Sequence, residues 1–403
     1  MSEYFDELET RSVDQRAADL AKALPEQLAR AQALAGYAGS LAGVDPASIT
    51  SAEALASLPV LRKSEIGAAQ AANPPFGGFA LAGQAHYFQS PGPIYEPGGV
   101  SFDWWRSGRA MFAAGVRKGD IVQNCFSYHL TPAGMMFENG ARAIGAGVLP
   151  AGTGQTELQA RAAHDIGVTA YTGTPDYLKI ILDKADEMGL KLKISKAAVG
   201  GGALFPSLRQ EYADRGIQCL QGYGTADLGS VAYESPALEG MIVDENVIVE
   251  IVTPGTGNPV APGEVGEVVV TTLNPDYPLI RFATGDMSAV MPGESPCGRT
   301  NLRIKGWMGR ADQTTKIKGM FVRPEQVAAL VAKHDDVAKA RVIAGREGEM
   351  DTMTVQIETD ATDASAYEKT VVEALKLKGK IELVATGSLP KDGLVIEDQR
   401  SYD

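Results

Sequence analysis

With three cysteines and four histidines in 403 residues, the chain has few of the side chains that frame a disulfide or metal scaffold. Cys125, Cys219 and Cys297 are far apart in sequence and form no CxxC pair, which excludes a disulfide framework and a thiolate zinc site and fits a reducing cytoplasm. The histidines His86, His129, His164 and His334 show no ligand spacing. No apolar run approaches the length of a bilayer span, and Met1–Arg11 holds acidic residues rather than an apolar core, so no anchor or targeting signal is read there. Positive charge is also short. Against 50 Asp and Glu stand 37 Lys and Arg, a net charge of −13, which repels phosphate backbones and anionic lipid and argues against nucleic acid and membrane as partners. The GxSxG elbow of Ser hydrolases is absent.

What the chain does have is apolar material, 44% of its residues, enough for two cores. The run from Val13 to Leu41 carries apolar residues at helical spacing, and Pro25 is expected to break it into two helices. From Asp120 onward, short apolar runs (Ile121–Phe126, Ala146–Leu149, Val168–Thr172, Ala197–Val199, Gln218–Leu220) alternate with helical patterns such as Thr156–Asp165 and Asp176–Met188. Such alternation predicts a largely parallel sheet covered by helices. Val247–Val252 and Glu267–Thr271 read as a β-hairpin that opens a β-rich subdomain. After Gly309 a Lys-rich turn, a helix opened by Pro324, and strands near Ala340–Ile343 and Met353–Ile357 suggest a small separate α+β lobe.

Several segments could carry chemistry. Ser90–Pro97 is a turn, but Pro91 and Pro93 lack an N–H and Glu96 adds negative charge, so it reads as a rigid surface turn rather than a phosphate cradle. Val199–Ala203 ends a strand with three glycines, where a planar ligand can approach the main chain. Tyr223–Asp227, following an apolar strand, offers a ring, an open backbone, a hydroxyl and a carboxylate. These are parts for a nucleotide and its hard cation. Leu279–Asp286 ends in a Thr-Gly-Asp turn suited to vicinal hydroxyls, and Gly309–Gly319 marks the lobe boundary with Arg310 and Asp312. His129 lies in the run Phe126–Gly134, where an α/β sheet presents ligands after a strand.

In this order, together with Leu58–Lys63, Gly152–Glu157 and the closing Pro390–Gly393, these segments resemble the adenylate-forming acyl-CoA synthetases, most closely the phenylacetate-CoA ligase branch. The resemblance spans nearly the whole chain. It implies a large multi-layer α/β N-terminal domain (1–311) that binds AMP and acid, with mostly parallel sheets plus a β-rich subdomain. It also implies a small mobile α+β lid (312–403), hinged near Asp312. The implied reaction joins a small-molecule carboxylic acid to ATP, with Mg²⁺, as an acyl adenylate, and then passes the acyl group to CoA. A cytoplasmic enzyme, possibly a homodimer, is expected.

By the same resemblance Tyr223 and Gly224 contact adenine and Gly200, Gly201 and Gly202 form the adenine-side loop. Thr225 touches phosphate or carboxylate, and Asp227 stands where the family usually has a Glu holding Mg²⁺. Asp286 takes the ribose, Arg310 and Asp312 form the junction pair, and Gly319 lines the pantetheine tunnel. Tyr128, His129 and Gly134 fall in the stretch that lines the acyl pocket in this branch, which implies an aromatic (aryl or aryl-acetic) acid. Two positions depart from the pattern: Glu96 replaces the phosphate-loop Lys, and Leu394 occupies the place of the catalytic Lys. Losing one such preorganised donor costs roughly 3 to 4 kcal/mol of barrier. Adenylation is therefore expected to be impaired while thioester formation survives; substitution by Lys391, three residues upstream with its stem shifted along the loop, is the weaker alternative. The alternative expectation is a non-catalytic relative that binds AMP, CoA or an acyl ligand as a sensor or scaffold.

Overall fold

The computed structural model of the protein describes residues 3–400 except 92, 312, 319, 348, 349 and 391, so the expected hinge Asp312, the tunnel residue Gly319 and Lys391 lie outside the described residues. The chain divides into two compact units. One comprises Met1–Val249, Val270–Phe282 and Met291–Gly306; the other comprises Glu250–Val269, Ala283–Val290 and Trp307–Asp403.

In the first unit five strands form the expected parallel array, in the order Gly147–Pro150, Ile121–Asn124, Ala170–Gly173, Lys196–Val199, Gln218–Thr225. The inner strands Ala170–Gly173 and Lys196–Val199 are short runs buried almost throughout, as a sheet covered on both sides requires. On one face lie Ala163, Leu178, Leu182 and Tyr212, and on the other Met111 and Ala141, contributed by helices that connect or precede the strands. Because Gly147–Pro150 turns back to the edge, the strand order reverses between Ile121–Asn124 and Ala170–Gly173. Ligands of open α/β sheets bind beyond the strand ends at such a switch point. The sheet continues antiparallel through Gly229–Glu234, Met241–Val243 and Arg303–Ile304.

The N-terminal helix differs from the expectation: Val13–Gln32 is one helix with Pro25 inside it. An interior proline removes one backbone hydrogen bond and costs about 3 kcal/mol. Burial of Leu24, Leu28 and Ala31 offsets that cost, as do the bonds from Gln27 Nε2 to the carbonyls of Thr272 (2.8 Å) and Asn274 (2.7 Å). Two of the candidate segments, the predicted Thr-Gly-Asp turn among them, are strand. Tyr223–Thr225 belongs to Gln218–Thr225, and Thr284–Asp286 lies within Phe282–Ser288. Arg281 has φ +46° and is 2% exposed, with its guanidinium donating to the carbonyls of Ala56 (3.1 Å) and Leu58.

The second unit holds a four-stranded sheet in the order Lys380–Val384, Met350–Thr359, Val337–Glu347, Ile396–Asp398. The helices Pro324–Val331 and Ser365–Leu375 complete its core through Val327, Leu330, Val371 and Leu375. Pro324 opens its helix at the first position, where the missing N–H is no loss. Among the described residues no helix is long and apolar enough to cross a membrane.

Candidate active site

In the first unit a cavity of about 230 Å³ opens at the switch point. Phe126, Thr131, Pro132, Ala133, Met136 and Phe137 form one wall, Gly200, Gly201 and the strand end from Leu220 to Ala226 another. The rings of Phe126 and Phe137 stack with centroids 4.4 Å apart and 17° between planes, which gives the wall a flat aromatic floor.

The glycines here have separate physical reasons. Gly201 holds φ +69° in the turn after Lys196–Val199. A Cβ on Gly224 would sit 2.4 Å from the Gly229 carbonyl, in a strand pair whose register shifts between Tyr223 and Gly224. Gly200 donates its N–H to the Gly173 carbonyl (3.2 Å), and the Gly202 carbonyl accepts from Gln221 Nε2 (3.2 Å). Tyr223, Gly224 and Thr225 all face the cavity. Thr225 Oγ1 accepts the Leu228 N–H at 3.1 Å and closes the turn toward Asp227.

Asp227 is 4% exposed, with Oδ2 2.6 Å from Lys63 Nζ and Oδ1 buried without a partner among the described residues. Lys63 closes the motif Leu58–Lys63, but only the fold places it 164 residues away, on this carboxylate. Glu96 is no surface charge, which corrects the reading of Ser90–Pro97 as a surface turn. His86–Ser90 and Ile94–Gly98 form an antiparallel hairpin, and Glu96 within it is fully buried. Ser90 Oγ donates to one Glu96 oxygen while the other has no partner among the described residues. Burial first, and then the Asp227 charge, push the Glu96 carboxyl up to about 8, so it is mostly protonated at neutral pH. The buried Tyr277 hydroxyl, also without a partner among the described residues, is raised by burial and then by Asp227 and Glu96.

Of the residues expected to hold the acid, Gly134 is fixed by close approach. A Cβ there would come within 2.7 Å of the Tyr128 ring. Tyr128 hydrogen-bonds away into the protein, its hydroxyl donating to Glu138 Oε2 (2.9 Å) and accepting from Asn124 Nδ2 (2.8 Å). Burial and the Glu138 carboxylate raise its pKa. His129 is exposed, its N–H donating to Ser127 Oγ at 3.1 Å. The cavity wall comes instead from their neighbours Phe126, Thr131, Pro132 and Ala133.

In the second unit Asp286 Oδ1 accepts from Arg310 Nη1 (2.8 Å) and Trp307 Nε1 (3.1 Å). Gly285, at φ +73°, leaves room for the guanidinium, since a Cβ would lie 2.7 Å from Arg310 Nη2. Leu394 is half-buried, and its N–H donates to Asp392 Oδ1 at 3.0 Å. Gln313, next in sequence to Asp312, grips this loop. Its Nε2 donates to the Gly393 carbonyl (2.9 Å), and its Oε1 accepts from the N–H groups of Val395 (2.6 Å) and Ile396 (2.8 Å). The sequence gives no signal for that role, because a lone Gln in a linker has no local pattern.

The family described as AMP-binding enzyme matches residues 107–274, the segment that supplies all of the cavity's lining except Ser90 and Pro91. The phenylacetate-coenzyme A ligase of Aromatoleum evansii is 30% identical over 335 residues, 78% of this chain and 74% of that one. That of Thermus thermophilus is 28% identical over 336 residues, 79% of this chain and 75% of that one. Among solved structures, an open conformation of a 2-hydroxyisobutyryl-CoA ligase in complex with 2-HIB-AMP and CoA has a similar fold. Its TM-score is 0.73 at 23% identity, over 96% of this chain and 92% of that one. The postadenylation state of a 2-hydroxyisobutyryl-CoA ligase gives 0.71. The chain belongs to the AMP-binding, adenylate-forming acyl-CoA synthetases, in the phenylacetate-CoA ligase branch.

Proposed function

We propose that the protein ligates an aromatic, aryl or aryl-acetic, carboxylic acid to CoA, and that Leu394 slows the first of its two half-reactions. The family chemistry is that of an acid-CoA ligase working through an acyl adenylate from ATP. The observation that carries the aromatic assignment is the cavity beside Gly200, Gly201 and Tyr223, whose floor is the stacked pair Phe126 and Phe137. A flat ring gains large contact area there at low entropy cost. The names of the relatives, phenylacetate-coenzyme A ligases, support the same acid class.

In this reading Tyr223 and Gly224 hold adenine beside the Gly200–Gly202 turn, and Thr225 meets the reacting phosphate or carboxylate. Asp286 takes ribose hydroxyls, supported by Arg310, Asp312 serves as the hinge and Gly319 lines the pantetheine path. Asp227, whose Oδ1 has no partner among the described residues, is the residue that would hold Mg²⁺. Bound there, the ion would neutralise charge on the phosphates. Lys63 keeps this carboxylate paired at 2.6 Å. Glu96, mostly uncharged at neutral pH, opposes phosphates less than a carboxylate at the position of the family's Lys would. Leu394 offers no charge to the attacking carboxylate oxygen, so the acyl adenylate forms slowly, whereas its capture by the CoA thiol does not need that charge.

The test is to incubate the protein and its Leu394→Lys variant with MgATP, CoA and a panel of aromatic and small aliphatic acids, and to read acyl-CoA by mass. Product from aromatic acids, larger with the variant, supports the proposal. Silence of both proteins across the panel overturns it in favour of a non-catalytic AMP, CoA or acyl-binding role, the reading that Leu394 and Glu96 by themselves favour.

A further inference from the structure

Ser107 starts the helix Ser107–Ala113, lines the cavity and is 1% exposed, yet its Oγ has no hydrogen-bond partner among the described residues. A buried hydroxyl without a partner is costly, and a serine in a first helical turn ordinarily finds one locally. The nearby carboxylate of Asp103 does not serve, because it accepts the Gly108 N–H at 2.9 and 3.1 Å. Nor is the serine free to move away. Helix Ala133–Ile144 crosses so closely at Gly140 that a Cβ there would lie 2.7 Å from the Ser107 Cβ. Its Cβ is therefore held beside Ala110, Met136 and Phe137, which line the same cavity, and rotation about χ1 is what brings the Oγ to a ligand.

Resting on the aromatic-acid reading above, we infer that the acid carries, besides the carboxylate that is activated, a neutral hydrogen-bonding group such as a phenolic hydroxyl, and that Ser107 recognises it. Serine can both donate and accept, so it suits a hydroxyl, which does the same. The cavity lining includes no Lys, Arg or His, and its one carboxylate, Glu234, is taken by Arg209 at 2.7 and 2.9 Å. A second anionic group on the acid would thus meet no counter-charge, which is why the group is neutral. A site with a fixed polar partner discriminates against an analogue that lacks the matching group, because the analogue leaves that partner buried and unpaired.

The test uses binding rather than turnover, so that Leu394 does not enter. Calorimetry would compare an arylacetyl sulfamoyladenosine with its ortho-, meta- and para-hydroxyl forms, on the intact protein and on Ser107→Ala. In these mimics the carboxylate is already masked. We expect one hydroxyl isomer to bind about tenfold more tightly than the unsubstituted mimic. Ser107→Ala should erase that preference while binding the unsubstituted mimic within about threefold of the intact protein, which also shows that the variant is folded. Equal binding of all four mimics, a preference that survives Ser107→Ala, or an equal loss for all four in the variant would each overturn the inference. If none of the four binds the intact protein, the adenylate reading itself fails, and the inference with it.

Discussion

Glu96→Gln should change how stability depends on pH. A glutamate usually titrates near 4.5, but burial and the Asp227 charge hold Glu96 near 8. The folded state therefore binds this proton more tightly than the unfolded state. The carboxyl's contribution to stability is complete below pH 4.5 and is lost as pH rises through 8. Between these values each pH unit removes about 1.4 kcal/mol from the wild type, and Gln, which does not titrate, loses nothing. From pH 5.5 to 7.5 the variant should therefore gain roughly 2.7 kcal/mol relative to wild type, and the gain should level off above about 8.5. Urea unfolding followed by tryptophan fluorescence reports on this unit through the buried Trp104 and Trp105. Midpoints of the two proteins that run parallel across this pH range would refute the assignment of a buried, proton-bearing Glu96.

Leu394→Lys should raise acid-dependent pyrophosphate release by about 10² to 10³, the usual range for one preorganised charge-stabilising donor, without changing the rate at which CoA captures a supplied adenylate. Gln313→Ala removes three bonds to the backbone of residues 393–396 and should destabilise the second unit by about 1 to 3 kcal/mol. Hydrogen exchange at Val395 and Ile396 is the readout, and unchanged protection there would contradict the grip described. Gly134→Ala places a methyl within 2.7 Å of the Tyr128 ring and should cost about 1 to 3 kcal/mol, seen as a lower Tm.

Much of the parallel sheet was legible because buried parallel strands announce themselves as short apolar runs between helical patterns, as at Ala197–Val199. The helix at Pro324 and the neighbouring strands Val247–Val252 and Gly266–Thr272 follow from equally local signals. Pro25 misled, since its local cost is outweighed by partners at residues 272 and 274 that lie far along the chain. Gly200, Gly201, Tyr223, Gly224 and Thr225, singled out by motif order, line one cavity. What sequence could not supply was pairing across long separations. Lys63 on Asp227, the burial of Glu96 and the unpaired hydroxyl of Ser107 depend on tertiary contacts. Tyr128 shows the converse: an aromatic residue in the right segment can still be held by Asn124 and Glu138 instead of facing the cavity.

The central claim, a CoA ligase of aromatic acids whose limitation lies only in making the adenylate, is tested most directly by supplying that intermediate. Preformed phenylacetyl adenylate and CoA, mixed with the protein in a quenched-flow experiment without ATP, should give phenylacetyl-CoA and AMP faster than the overall reaction from ATP and acid. An adenylate that is consumed no faster than in buffer would contradict the account.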